Sequence, residues 1–317
     1  MTFVGIDVSK SSLDAAAIME TGEVEQRPFT NDPTGHTQLM AWLTGFPDRL
    51  VTLEATGSYH QRLSAVLQEA REHVSVLNPA QVSYFAKSQA RRNKTDRVDA
   101  LMLAVYGKER RPAPSLATNT GLQSLARELN ALQEDITRLK NRLEAAEHGL
   151  THPEVAASIK RRIAALEEEK AALQKNLERE ARCVYERDLT LLESIPGIGT
   201  RSACLFLAEV GDIRRFPSAP KLVAFAGLSP MEVRSGSSVN KQTRISRLGS
   251  SALRRILYMP GLVGIRHNPI LKAFYERLVV KGKNKKAALL ACVAKLLRIM
   301  YGVLIHQRPF DATYTAG

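Results

Sequence analysis

The chain has 317 residues, of which 44% are hydrophobic and 24% charged, and it carries a net charge of +13. These proportions fit a soluble globular protein with room for two domains and exclude a disordered or low-complexity chain. No membrane-spanning run and no basic-plus-apolar leader is expected, and a cytoplasmic protein is the expectation.

The first stretch of interest is Phe3-Val4-Gly5-Ile6-Asp7-Val8-Ser9, an apolar strand that delivers one carboxylate near its end. A strand-end aspartate commonly caps the next turn, so Asp7 gains weight only from other acids. Thr2–Val8, Leu13–Met19 and Val24–Thr30 read as three strands, with Thr21-Gly22-Glu23 as a hairpin turn. Asn31-Asp32-Pro33-Thr34 opens a helix through Leu43, Pro33 suiting its first turn. Leu50–Glu54 is a fourth strand ending in a carboxylate, followed by a turn, a helix to about Arg71, a fifth strand at His73–Leu77 and a further helix. The order β-β-β-α-β-α-β-α is that of ribonuclease H-like α/β domains. In that fold the first and fourth strands are neighbours, so Asp7 and Glu54 are expected to meet.

Arg91-Arg92-Asn93-Lys94-Thr95-Asp96-Arg97-Val98-Asp99 then leads into an apolar helix. Asp96 and Asp99 stand three apart and share a helical face. They equally suit a capping arrangement. Four clustered carboxylates repel one another unless a divalent cation neutralises them, and oxygen ligands suit Mg²⁺. Ions held in this way activate a nucleophile and stabilise a leaving oxygen in phosphodiester cleavage. Arg91, Arg92, Lys94 and Arg97 lie beside the acids as candidate contacts to the backbone being cut.

Pro112-Ala113-Pro114 marks a linker. Leu122, Leu125, Leu129, Leu132, Ile136, Leu139 and Leu143 then alternate spacings of three and four, a heptad seam. Gly149 to Pro153 breaks it, and a second amphipathic helix carries Ile159, Ile163, Leu166, Leu173 and Leu177. An antiparallel coiled-coil hairpin, or arms that pair with another subunit, is expected. Its charges read as a solvated face, and His148 and His152 are separated by helix breakers that make a zinc site there poor. Cys183, Cys204 and Cys292 read as reduced core thiols without metal-ligand spacing.

Ser194-Ile195-Pro196-Gly197-Ile198-Gly199 precedes an apolar helix and has the pattern of a helix-hairpin-helix. Gly197 and Gly199 would let backbone amides face a DNA phosphate. A plain tight turn is the other reading. Beyond it lies the Gly/Ser-rich loop Arg234-Ser235-Gly236-Ser237-Ser238, followed by Lys241, Arg244, Arg247, Arg254 and Arg255. Residues 231–300 hold fifteen Lys and Arg against Glu232 and Glu276, so this one segment carries the whole net charge and points to a nucleic-acid partner. A serine hydroxyl among guanidiniums can attack a phosphodiester, the cations stabilising charge on the phosphoryl oxygens. Spacing alone leaves Ser235 between nucleophile and ordinary loop residue.

With these residues in place, the chain resembles the DEDD-type insertion-sequence transposases, the family of bridge-RNA-guided serine recombinases. The resemblance rests on Gly5-Ile6-Asp7, Leu53-Glu54-Ala55-Thr56-Gly57, Asn93 to Ala100, Ser194 to Gly199, Ala224-Phe225-Ala226-Gly227-Leu228 and Ser235-Gly236-Ser237-Ser238. It covers nearly the whole chain in order and is weakest in the arm. It implies a RuvC-like domain whose Asp7, Glu54, Asp96 and Asp99 bind Mg²⁺. It also implies a mostly helical C-terminal domain whose Ser235 becomes covalently joined to DNA. The partners implied are donor and target DNA, a structured guide RNA, and further copies of the chain in a dimer or tetramer held by the arms. The expected divisions are 1–112 for the RuvC-like domain, 113–188 for the arm and 189–317 for the transposase domain. Two rival readings stand beside this one: a RuvC-like, metal-dependent junction nuclease in which water attacks, and a non-catalytic nucleic-acid-binding protein.

Overall fold

The structure, a computed structural model, describes residues 1–55, 57, 59–88, 96–115, 120–149, 152–235, 239–245 and 249–313; the side chains of residues 96–97, 120, 231–235 and 239–244 lie outside the described set. The chain divides into two compact units, Met1–Ala117 and Thr118–Gly317.

The first unit runs β1 (Thr2–Val8), β2 (Ser12–Ile18), β3 (Val24–Thr30), α1 (Pro33–Leu43), β4 (Arg49–Glu54), α2 (His60–Glu69), β5 (Val74–Leu77), α3 (Pro79–Ser88) and α4 (Asp96–Arg110). Its five strands are ordered β3-β2-β1-β4-β5. β1, β2 and β3 pair antiparallel, whereas β4 joins β1, and β5 joins β4, in parallel. This is the ribonuclease H-like arrangement that the element order predicts. Asp32 caps α1 by accepting from the Gly35 amide at 2.8 Å, and Pro33 occupies the first turn. Leu39, Trp42 and Leu43 of α1 share a core with Val4, Ile6, Leu13 and Val51. Trp42 keeps its indole N–H satisfied by donating to Glu25 at 2.6 Å.

The second unit runs α5 (Thr120–His148), α6 (Pro153–Glu193), α7 (Thr200–Val210), a short 3₁₀ turn at Ile213–Arg215, α8 (Ala219–Phe225), β6 (Pro230–Ser235), β7 (Val239–Ile245), α9 (Ser251–His267), α10 (Pro269–Val280) and α11 (Lys285–His306). α5 and α6 lie antiparallel, as the ion pairs Glu147–Lys160 and Lys140–Glu167 require. Leu122, Leu129, Leu132, Ile136 and Leu139 of α5 are buried. The outer part of this helix pair has a small core of its own, built on Ile136, Leu139, Ile159 and Ile163. The base does not: Leu122, Leu129, Leu177 and Leu189 join Phe206, Leu253 and Leu297 in the main core of the unit. α6 departs from helical geometry at Tyr185 (φ −130°, ψ 31°).

Three expectations change. The Gly/Ser-rich segment expected as a loop is flanked by a two-stranded antiparallel hairpin, β6–β7, with Ser235 opposite Val239. Cys204 and Cys292 are buried, but Cys183 is exposed, because α6 turns that residue away from the core. Lys285–His306 is long and apolar enough to cross a membrane by length and composition, contrary to the expectation that no such run exists. In the fold it is a core helix: Ala288, Cys292, Leu296, Leu297, Met300 and Leu304 are buried against the rest of the unit.

Candidate active site

The first site is built by one strand residue that has no side chain. A Cβ on Gly5 would sit 2.1 Å from the Ala100 carbonyl oxygen, 2.3 Å from the Ala104 amide nitrogen and 2.8 Å from Leu103 Cβ. Only glycine lets α4 lie this close to β1. On the neighbouring strand, buried Thr52 donates its hydroxyl hydrogen to α4, its Oγ1 lying 2.7 Å from the Leu103 carbonyl and 3.1 Å from that of Val4. A Cβ on Gly107 would lie 3.2 Å from Thr52 and 3.3 Å from Leu50. Helix residues therefore decrease in number as strand residues increase, and α4 runs antiparallel to β1 and β4.

That direction decides where the acids go. Asp7 follows Gly5 by two, so it stands on the α4 face of the sheet, about 6.6 Å further along β1. Glu54 follows Thr52 by two on β4, and the parallel register Gly5↔Thr52, Ile6↔Leu53 brings Asp7 and Glu54 side by side at the strand ends. Asp99 precedes Leu103 by four, one helical turn or about 6 Å toward the same end. All three are half-buried. Asp96 opens α4 one turn earlier; its side chain lies outside the described set.

Sequence reasoning missed a fifth acid. Asp14 of β2 is the antiparallel partner of Asp7. Side chains of directly opposed residues share a face and stand close, and like charges there are unfavourable. The turn is legible in hindsight: Ser9 accepts from the Ser12 amide at 3.2 Å and its own amide donates to the Ser12 carbonyl, a closure that sets 7 opposite 14. The donor set is all carboxylate oxygen, which fits a hard divalent cation and not zinc or a soft metal. Among the described residues no three His, Cys, Asp or Glu side chains are already drawn together as a metal site.

The second site is the β6–β7 hairpin. Ser235 is the last residue of β6; its side chain, and those of Arg234, Lys241 and Arg244, lie outside the described set, as does Arg247 entirely. Arg91, Arg92 and Lys94 also lie outside it, and Arg97 is described in its backbone only. Arg255 is exposed and paired with Glu134 of α5. Arg254 is half-buried and donates into the protein's own backbone, to the carbonyls of Ala226 (2.9 Å), Gly249 (3.3 Å) and Ser250 (3.3 Å). This is a different employment from the phosphate contact expected of it.

Between α6 and α7, Gly197 adopts φ +105°, and a Cβ there would meet Gly264 Cα and N of α9 at 2.9 Å. Close packing on α9 therefore requires a glycine at 197 independently of any ligand. Gly199 is exposed at the start of α7 with open space where a Cβ would point. His152, instead of joining a zinc site with His148, caps α6 by accepting from the Glu154 amide at 3.2 Å.

Comparison with known proteins shows the family. A transposase profile of the DEDD IS110 type matches residues 4–147, which contain the acidic strand ends and α4. A second profile, described as transposase IS116/IS110/IS902 family, matches residues 189–276, from the α6–α7 turn through the β6–β7 hairpin. The pilin gene-inverting protein of Moraxella bovis is 32% identical over 320 residues, covering 98% of each chain. The chain belongs to the IS110/IS116/IS902 transposase family. A more distant relative, the transposase for insertion sequence element IS1111A of Coxiella burnetii, is 24% identical over 97% of this chain and 90% of its own. Among solved structures, Thermus thermophilus RuvC in complex with a Holliday junction substrate is similar at 14% identity and a TM-score of 0.28, over 36% of this chain and all of that one. These values are low, and the fold assignment of the IS110-type N-terminal unit rests on its strand order.

Proposed function

We propose that the protein is the DNA recombinase of an insertion sequence, cutting and rejoining DNA through a covalent link between Ser235 and a DNA phosphate. Membership of a transposase family implies an enzyme that cuts DNA. The reading is supported by the placement of Asp7 and Glu54 near the ends of adjacent parallel strands, with Asp99 in the first turns of α4, the helix that Gly5 admits against β1. With Asp96 they would supply oxygen ligands for Mg²⁺, which when bound would polarise the scissile phosphate and stabilise charge on its oxygens.

In this mechanism Ser235 Oγ forms a bond to phosphorus, the bond from phosphorus to the deoxyribose oxygen breaks, and that oxygen leaves as a hydroxyl. The serine proton passes to a base or to solvent. Reversal by a second DNA hydroxyl restores the serine, so rejoining needs no nucleotide cofactor, in keeping with the absence of a G-x-x-x-x-G-K-[S/T] loop from the sequence. Arg234, Lys241, Arg244, Arg247 and Arg255 would hold backbone phosphates around the serine, with Arg91, Arg92, Lys94 and Arg97 serving the acidic site. The amides at Gly197 and Gly199 would add sequence-independent phosphate contacts. A structured guide RNA is the proposed source of sequence choice, and a homo-oligomer built on a coiled-coil arm the proposed assembly. The reaction belongs in the bacterial cytoplasm, where its DNA is.

The second reading is a metal-dependent junction nuclease in which water attacks and Ser235 is a loop residue. The relatives named for inverting a pilin gene favour the first, since inversion requires rejoining as well as cutting. The deciding experiment incubates the protein with Mg²⁺, the flanking noncoding RNA and supercoiled plasmid carrying the element's ends, then seeks protein-linked DNA on a denaturing gel. An adduct lost in both Ser235→Ala and Asp7→Ala supports the recombinase. Cleavage that persists without an adduct in Ser235→Ala transfers the case to the nuclease.

A further inference from the structure

The β6–β7 hairpin enters the helical core through two feet, and both are pinned by the first turn of α9. The incoming foot is Phe225-Ala226-Gly227, ahead of β6; the outgoing foot is Gly249-Ser250, separated from β7 by residues 246–248, which lie outside the described set. Arg254 Nη1 bridges them, donating to Ala226 on one side and to Gly249 and Ser250 on the other. The Ser250 amide donates to the Phe225 carbonyl at 2.8 Å. The Ser250 hydroxyl caps α9 by accepting from the Leu253 amide at 3.1 Å and donates to Glu209 of α7 at 2.5 Å. Gly249 approaches so closely that a Cβ would lie 2.4 Å from the Phe225 carbonyl oxygen. Phe225 is itself held from outside, its ring 5.0 Å from the Arg215 guanidinium and 5.2 Å from the Phe216 ring.

A two-stranded hairpin has little stability of its own, so the placing of β6 and β7 depends on their feet. We infer that Arg254 is a positioning residue: its guanidinium locks the two feet of the hairpin together and thereby sets where Ser235 stands. A planar fork that can reach several carbonyls at once suits this task, and a lysine's single ammonium does not reproduce it. This inference rests on the reading of Ser235 as nucleophile for its effect on reaction, but not for its effect on the hairpin.

The test separates the two. In full-length protein, amide hydrogen exchange is followed in Arg254→Lys and Arg254→Met, alongside the rate of adduct formation at saturating DNA and the DNA affinity as a function of salt. Loss of the clamp speeds exchange in β6 and β7 by about tenfold, the effect of losing net hydrogen bonds at the root, and leaves α7 and α11 unchanged. Adduct formation falls about 100-fold, as small misplacements of reacting groups do, with affinity unaltered. Arg254→Lys, the milder change, lies between the wild type and Arg254→Met, and added guanidinium ion restores part of the rate to Arg254→Met. Unchanged exchange in β6 and β7 overturns the inference. So does weakened DNA binding with a salt slope reduced by about one, which would make Arg254 a phosphate contact. If Ser235→Ala still forms the adduct, the nucleophile assignment fails, and the exchange result alone judges the clamp.

Discussion

The two candidate sites are held in place by opposite means. The acids sit at the ends of strands inside a five-stranded sheet, and α4 is pressed onto that sheet at backbone distance through Gly5 and tied by Thr52. The serine sits at the end of a two-stranded hairpin that is secured at its root by Arg254, Ser250 and Gly249. A metal-binding set needs its oxygens fixed against mutual repulsion, which a packed sheet provides. The hairpin has no such sheet around it, and its described ties to the rest of the unit include the hydrogen bonds of Arg254 and Ser250 at its feet.

The strongest way to break the acidic half is at Gly5. Gly5→Val forces a side chain into the Ala100 carbonyl and should cost about 3 kcal/mol or more, displacing α4. Thermal unfolding should show the loss, and reversion of activity by any metal concentration would contradict it. Asp7→Ala should instead leave the fold intact, or slightly firmer because Asp14 loses a like-charged neighbour, while strand cleavage falls on the order of 10³-fold, the worth of several kcal/mol of charge stabilisation. A melting curve and a cleavage assay on one preparation separate these two variants. Thr52→Val comes next: it removes the hydroxyl beneath the Leu103 carbonyl and should cost about 1–3 kcal/mol, measured as a shift in denaturant midpoint with unchanged slope.

Two smaller effects sharpen the contrast between core and surface. Burial pushes the Cys204 and Cys292 thiols up to about 11, so in native protein a thiol reagent at neutral pH should modify Cys183 and reach the other two only after unfolding. His36 is held below its ordinary value, chiefly by burial and further by Arg62, against the opposing pull of Asp32. Its Nε2 lies 2.8 Å from the Asn31 side-chain oxygen. The folded state favours the neutral ring, so the unfolded chain binds the proton first. The stability this group confers is whole above about pH 6.5 and is lost as pH falls through the folded value. Melting temperatures from pH 7.5 to 5 should fall in the wild type and fall less in His36→Gln.

Much of the first unit was legible because strand and helix periodicities are local. The order of elements gave the sheet order, and the sheet order gave the neighbourhood of Asp7 and Glu54. Asp14 escaped notice because its partnership depends on where the Ser9–Ser12 turn closes, and a shift of one residue would send it to the other face. In the second unit the helix pair was legible from its apolar spacing, but its base was not separable by sequence from the core it enters. The β6–β7 strands were missed because Arg, Lys, Ser and Gly mask strand propensity, which depends on packing more than on composition.

Family membership, the candidate acids and serine, the basic segment and the period of each long helix were set by the sequence alone, since each is a property of residue types at fixed spacing. Tertiary structure decided the rest. The antiparallel run of α4 brought Asp99 to the strand ends, cross-strand register added Asp14, and the feet of the hairpin claimed Arg254 from the surface. Each of these depends on which backbone lies against which, and such distances are fixed only when the chain closes on itself.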